Sequence, residues 1–181
     1  SLGVIFLVTA YFFGNTSFIK NSRYLSRIMD VSTDSYTIQT RFWAWQAGIE
    51  GWKENLKTIT IGWGPENFNI PFSKHFNPKF FTGIGAETFF DRAHNMFVEV
   101  LVTMGLAGLV SYIGIFFFLF RTLWLKLKTR SKDESLLYIG LISLLVAYIA
   151  HNFFFFDTSP NWILFFTIVG FVYYLTSEDS V

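Results

Sequence analysis

The sequence predicts an all-α integral membrane protein with three complete transmembrane helices, one partial one and a large, partly helical extracytoplasmic loop. Three observations carry that class. Hydrophobic residues make up 52% of the 181-residue chain and charged residues only 15%, against about 25% charged in a soluble domain. The apolar residues are gathered into long runs rather than scattered. Those runs meet or approach the roughly 20 helical residues that cross a hydrocarbon core. The 14 Lys and Arg nearly balance the 13 Asp and Glu, so charge gives no reason to expect a nucleic-acid partner. There is no Cys, which excludes disulfides, thiolate catalysis and Cys-ligated metals.

The elements follow in order. Leu2 to Phe13 is an apolar run, read as a partial transmembrane helix over residues 1–13. It opens at Ser1 with neither the basic n-region nor the small-residue cleavage site of a signal peptide. We therefore expect a C-terminal fragment of a longer protein. Residues 14–93 form the loop, which contains a glycosylation-type triplet, Asn15-Thr16-Ser17, too common by chance to carry weight. Phe42, Trp45, Ile49, Trp52 and Leu56 recur at spacings of 3 and 4, the stripe of one helix face, with Ser35 or Thr37 as its cap. Such a helix lies along the membrane surface or packs on the spans. Gly62-Trp63-Gly64-Pro65 then turns the chain sharply, since glycine permits positive φ and proline locks its own φ at about −65°. Ile70 to Glu87, rich in Phe, Pro, Lys and Gly, reads as an irregular lid or mouth.

Three spans follow, over residues 94–120, 136–156 and 162–176. Trp162 and the Tyr173-Tyr174 pair suit the interfacial belts. The link 121–135 carries Arg121, Lys126, Lys128, Arg130 and Lys132, and basic residues in a short loop mark the cytoplasmic side. The turn 157–161 is then extracytoplasmic, like the loop 14–93, and the tail 177–181 is cytoplasmic. That sidedness brings His94, His151 and Asp157 to one depth near the outer surface. Ionisable residues gathered there mark a site, or simply an interface in contact with water.

No metal-ligand spacing joins His75, His94 and His151, and neither HExxH nor Asp-x-Asp occurs. No metal and no other cofactor is expected.

Three motifs carry a resemblance. They are Arg41-Phe42-Trp43-Ala44-Trp45, the turn Gly62-Trp63-Gly64-Pro65-Glu66-Asn67-Phe68, and Ala93-His94-Asn95-Met96-Phe97-Val98-Glu99 leading into Gly105-Leu106-Ala107-Gly108-Leu109. With His151-Asn152 and Phe156-Asp157, they make residues 35–160 resemble the O-antigen ligase and O-antigen polymerase superfamily of bacterial envelope glycosyltransferases. The resemblance implies a multi-pass protein of the bacterial inner membrane. It further implies a metal-independent enzyme that takes a glycan from an undecaprenyl diphosphate carrier at the outer face. The glycan would pass to a hydroxyl on lipid A-core, on another glycan or on a protein. By position in the motifs, Arg41 and His94 become the catalytic candidates. Arginine offers a permanent forked set of donors for a departing diphosphate, and a histidine can take the acceptor proton. Arg92, Gly64, Asn95, Glu99 and His151 are candidates for substrate binding. Glu99 orients His94 or Asn95, pairs with an arginine, or hydrogen-bonds a neighbouring helix. Five residues from His94 to Glu99 is about 140° of helical turn, so direct contact is not favoured. Two other classes compete: a transporter or channel fragment, which calls for broken helices and polar residues at mid-membrane, and a non-catalytic envelope scaffold.

Overall fold

Three helix starts in this chain, at Asn55, Asn95 and Ser131, are set by capping side chains rather than by where hydrophobicity begins. The computed structural model describes residues 36–82 and 88–177. The expected partial helix 1–13, the Asn15-Thr16-Ser17 triplet, a cap at Ser35, residues 83–87 of the expected lid and residues 178–181 of the tail lie outside the described residues. Regular structure among the described residues is helical: α1 (Tyr36–Trp52), α2 (Leu56–Ile61), α3 (Asn69–Lys74), a 3-10 turn (Pro78–Thr82), α4 (Met96–Leu127), α5 (Lys132–Asn152) and α6 (Ser159–Ser177). The chain divides into two compact units, Ser1–Phe42 and Trp43–Val181, and the packing described below is that of the second.

The expected stripe is split: Trp45 and Trp52 are partly buried against the core, while Phe42 and, beyond the helix, Leu56 are exposed, and the fully buried face is Ala44, Ala47, Gly48 and Gly51. The spacing is helical as expected, but small residues let other backbone approach: a Cβ on Gly48 would run into the Phe68 ring, and one on Gly51 into Pro71. The tryptophans are ties at the edge of this face. Trp45 Nε1–H donates to the Ala93 carbonyl at 2.5 Å and Trp52 Nε1–H to the Ile59 carbonyl at 3.1 Å. Phe68, Phe72, Phe80 and Phe90 fill the core of this region with Ala44, Ala47, Ala93 and Val102. α2 starts where Asn55 accepts from the Thr58 N–H at 3.0 Å, a cap of the usual kind.

α4, α5 from Glu134, and α6 are each long and apolar enough to cross a membrane. They pack through one narrow seam apiece: Tyr112, Phe116, Leu119 and Leu123 on α4, Tyr138, Leu141 and Leu145 on α5, and Phe165, Ile168 and Val172 on α6. Their other faces expose Val110, Phe117, Phe118, Val146, Ile163 and Phe166, the pattern of helices solvated by lipid rather than by water. The expected span 94–120 is helical from Met96, where Asn95 Oδ1 accepts from the Phe97 and Val98 N–H groups at 2.9 and 3.0 Å, and runs on to Leu127. α5 starts a turn earlier than its apolar run because Glu134 reaches back to the Ser131 N–H at 3.3 Å.

α4 is not continuous. Gly105 has φ 68° and ψ −167°, a region open essentially to glycine alone, so Met96–Met104 and Leu106–Leu127 are two helical segments. The second is about 33 Å long at 1.5 Å per residue, enough to cross a ~30 Å core by itself. The break is held by the Gly62–Gly64 turn. The Trp63 N–H donates to the Val102 carbonyl at 3.1 Å and the Gly64 N–H to the Thr103 carbonyl at 2.7 Å, satisfying carbonyls that the break orphans. Gly62, at φ 73°, presses on the Thr103 carbonyl group while Gly105 presses on that of Thr60, and a Cβ at either would collide with backbone.

Gly62→Ala and Gly105→Ala are each expected to lower stability by upward of ~2 kcal/mol. The double variant should fall short of the sum, because both break one crossing. Thermal unfolding of the purified protein in detergent checks this.

Candidate functional site

The segment between the Phe90 core residue and the first turn of α4 is a tight corner. His94 takes φ 51°, left-handed backbone uncommon outside glycine, and Asn95 caps the helix beside it. The corner is fastened from three sides. The Ala93 N–H donates to Glu99 Oε2 at 2.7 Å, and the Ala93 carbonyl accepts from Trp45. Asn95 Nδ2 donates to the Phe153 carbonyl at 3.0 Å, linking the corner to the end of α5. The His94 ring stands edge-on to Phe90 at 5.7 Å and to Phe156 at 5.3 Å. Glu99 therefore does reach the histidine segment, through the backbone of Ala93 rather than through the imidazole.

Arg92 is drawn into the same place. Its guanidinium pairs with the Glu66 carboxylate, lies 3.9 Å from Glu99 Oε1 and sits over the Phe156 ring at 5.8 Å. Glu66, Arg92, Glu99, Thr103, Asp157 and Trp162 line a cavity of about 100 Å³. Phe156 lines it too, so the ring that touches His94 is also its wall. Two carboxylates on this cavity each keep one buried oxygen without a hydrogen-bond partner, Glu99 Oε1 and Asp157 Oδ1. A buried acceptor left unmade costs about 1–3 kcal/mol, so two in one small cavity mark where donors from a ligand belong.

Asp157 is held by a polar network inside the helix seam. Its Oδ2 accepts from the Tyr148 hydroxyl at 2.6 Å and from Asn152 Nδ2 at 3.4 Å, and the same Asn152 amide donates to the Tyr112 hydroxyl at 2.7 Å. Burial pushes the Asp157 carboxyl above its ordinary range, against the lowering effect of the Tyr148 hydroxyl and the His151 charge.

The sequence candidates separate accordingly. Arg92, Asn95 and Glu99 come together around the His94 corner. Gly64 stands behind Thr103, its amide committed to that carbonyl. His151 is exposed at the end of α5, its ring stacked on Phe155 at 5.0 Å, while its neighbour Asn152 is the fully buried one. Arg41 belongs to the N-terminal half of α1, in the unit Ser1–Phe42. Glu66, Tyr148 and Trp162 were not among the candidates, and Asp157 was placed at the depth of His94 without a role. Glu66 and Asp157 were within reach, since both stand inside motifs that carried the resemblance. Among the described residues no group of three His, Asp or Glu side chains is placed to share a metal ion.

The family model described as O-antigen ligase matches residues 1–113. The chain belongs to the O-antigen ligase family. The match takes in Arg41, Gly64, Glu66, Arg92, His94, Asn95 and Glu99 and ends before Asn152 and Asp157. No curated protein and no solved structure matches the chain. Membership, with three helices able to cross a bilayer, makes this O-antigen ligase family member a multi-pass membrane protein of lipid-linked glycan transfer.

The raised Asp157 carboxyl has a sign in stability. A group that holds its proton more tightly when folded stabilises the fold fully below its ordinary value, 3.8 here. That contribution is lost as pH rises through the folded value. The unfolding temperature of this O-antigen ligase family member is expected to fall as pH is raised above about 4, and Asp157→Asn to flatten that fall. An unchanged pH profile in the variant would contradict the assignment.

Proposed function

We propose that this protein transfers a glycan from an undecaprenyl diphosphate carrier to an acceptor hydroxyl at the outer face of the bacterial inner membrane. Family membership supports the reaction class. The observation that carries the site is the His94 corner, where a histidine in strained backbone is pinned beside an arginine and two carboxylates on a small cavity. Strain of about 1–3 kcal/mol persists where surrounding structure over-determines it, and such positions cluster at active sites.

In this reading the acceptor oxygen attacks the anomeric carbon, the bond from that carbon to the diphosphate oxygen breaks, and the acceptor proton passes to His94. Undecaprenyl diphosphate leaves carrying the bonding pair. Arg92 offers its guanidinium to the charge that develops there, exchanging the Glu66 carboxylate for phosphate oxygens; Arg41 is the second cation for the diphosphate. Glu99 and Asn95 hold the corner, and Asp157 accepts from a substrate hydroxyl. The diphosphate leaving group supplies the driving force, so the reaction as proposed draws on neither nucleotide nor metal. The loop 14–93 and the turn 157–161 face outward and the link 121–135 faces the cytoplasm, as the basic residues of the short link argue. The acceptor is lipid A-core, a glycan or a protein.

A second reading exchanges the base. Asp157 lines the cavity with an oxygen that has no partner, and its proton affinity is raised, whereas His94 meets the cavity through Phe156.

The test uses the full-length protein in membranes with a fluorescent undecaprenyl diphosphate-linked glycan, a mixed acceptor pool and EDTA. Wild type is expected to label an acceptor. His94→Ala should lower kcat/KM by about 10²–10⁴-fold and remove the acidic limb of its pH profile, and Arg41→Ala and Arg92→Ala should lower it as well. If His94→Ala keeps the limb and Asp157→Asn removes it, Asp157 is the base. Full activity in both the His94 and Arg41 variants would defeat the site assignment.

A further inference from the structure

A second concavity lies in the α1–α3 region, outside the cavity described above. It is an open cleft of about 230 Å³ lined by Trp43, Gln46, Glu50, His75, Phe76 and Asn77. We propose that this cleft is a subsite for one neutral pyranose ring of the glycan, set away from the reacting centre.

The composition of the cleft selects the ligand. Trp43 and Phe76 supply aromatic walls, large rigid apolar faces at little entropic cost. The floor is polar: Gln46 Nε2 donates to Glu50 Oε1 at 3.1 Å, and His75 Nδ1 lies 3.7 Å from Glu50 Oε2. A carboxylate that only accepts, beside two amides that both donate and accept, suits the alternating hydroxyls of a sugar whose C–H face rests on an aromatic ring. Among the described residues no Lys or Arg lines the cleft, so a phosphate would meet no permanent cation there. Glu50, with Glu54 behind His75 at 2.7 Å, makes an acidic sugar unwelcome. The volume falls below the ~300–1,000 Å³ of sites for drug-sized ligands, which fits a single ring.

Placement joins the cleft to the proposed chemistry. From its wall, Phe76 packs on Phe80 at 5.3 Å, Phe80 on Phe90 at 5.6 Å and Phe90 on His94 at 5.7 Å. Phe80 and Phe90 are buried, so the cleft and the His94 corner flank one aromatic core, and in this proposal the glycan runs around that core with its reacting end at the corner. The polar groups are also rigidly placed: Lys74 donates to Glu54 Oε2 at 2.5 Å, fixing the carboxylate that orients His75. This inference rests on the reading of the chain as a glycan transferase, but it is tested apart from transfer.

The probe is the oligosaccharide released by mild acid from the parent cell's own surface glycan, with neutral and uronic trisaccharides beside it. Saturation-transfer NMR on the full-length protein in detergent is expected to show transfer to ring C–H protons of the released and neutral sugars and none to the uronic ones. Trp43→Ala and the exposed Gln46→Ala are each expected to weaken binding about tenfold, and Trp43→Phe to restore most of it. The Gln46 variant guards against misfolding, since its side chain is outside the core. Absence of saturation transfer in wild type, or equal binding in all variants, overturns the subsite. Trp43-dependent binding in a protein that transfers nothing leaves the subsite standing and defeats the transferase reading. Transfer in which none of these variants changes sugar binding does the reverse.

Discussion

Two backbones cross at Gly62 and Gly105, and most of what is distinctive in this protein depends on that crossing. Neither residue could carry a Cβ without striking the other strand's carbonyl group. The two amide hydrogen bonds from Trp63 and Gly64 to Val102 and Thr103 close the carbonyls that a broken helix would leave open. Without the crossing, α4 would be one straight rod and its first two turns would point elsewhere. With it, Met96–Met104 is a separate segment, aimed so that Asn95 and Glu99 meet the loop. The sharp turn and the long helix are thus one device: each supplies what the other lacks, a partner for its polar groups and room to approach.

The cavity follows from that arrangement. Burying carboxylates is costly unless partners replace water, and here each of two carboxylates is half satisfied. Glu99 spends one oxygen on the Ala93 amide and Asp157 spends one on Tyr148 and Asn152, leaving the other of each without a hydrogen-bond partner. A fold selected only for stability would replace such groups with apolar ones. Their presence beside Arg92 is the physical argument for the ligand proposed there. A transporter also calls for broken helices, and the break at Gly105 answers to that description. The break, however, is sealed by backbone hydrogen bonds and lies against a loop, with family membership pointing to glycan transfer.

Legibility differed by element. The three spans were readable because about 20 apolar residues in a row leave few other folds, and two of their starts moved, from 94 to 96 and from 136 to 132, because Asn95 and Ser131 with Glu134 decide them. The α1 stripe was read from its largest residues, Phe42 to Leu56. The close-packed face is Ala44, Ala47, Gly48 and Gly51, since what a helix needs for close approach is the absence of side chain. The histidine motif was visible, but Asp157, 63 positions beyond His94 in the numbering, was reachable only through the sidedness that sets both near the outer surface.

By itself the sequence determined that the chain is helical, lipid-facing and of the O-antigen ligase type, and it offered Arg41, Arg92 and His94 as candidates for the chemistry proposed above. Those are properties of local windows: hydropathy sums over neighbours in the chain, and a motif is a short string. Only the tertiary structure decided that Gly64 serves a helix end, that Asn152 and not His151 turns inward, and that Glu66, Glu99 and Asp157 share one cavity. Each of these depends on which backbone lies against which, and that is set by long-range packing, where a missing Cβ or an orphaned carbonyl counts for more than residue type.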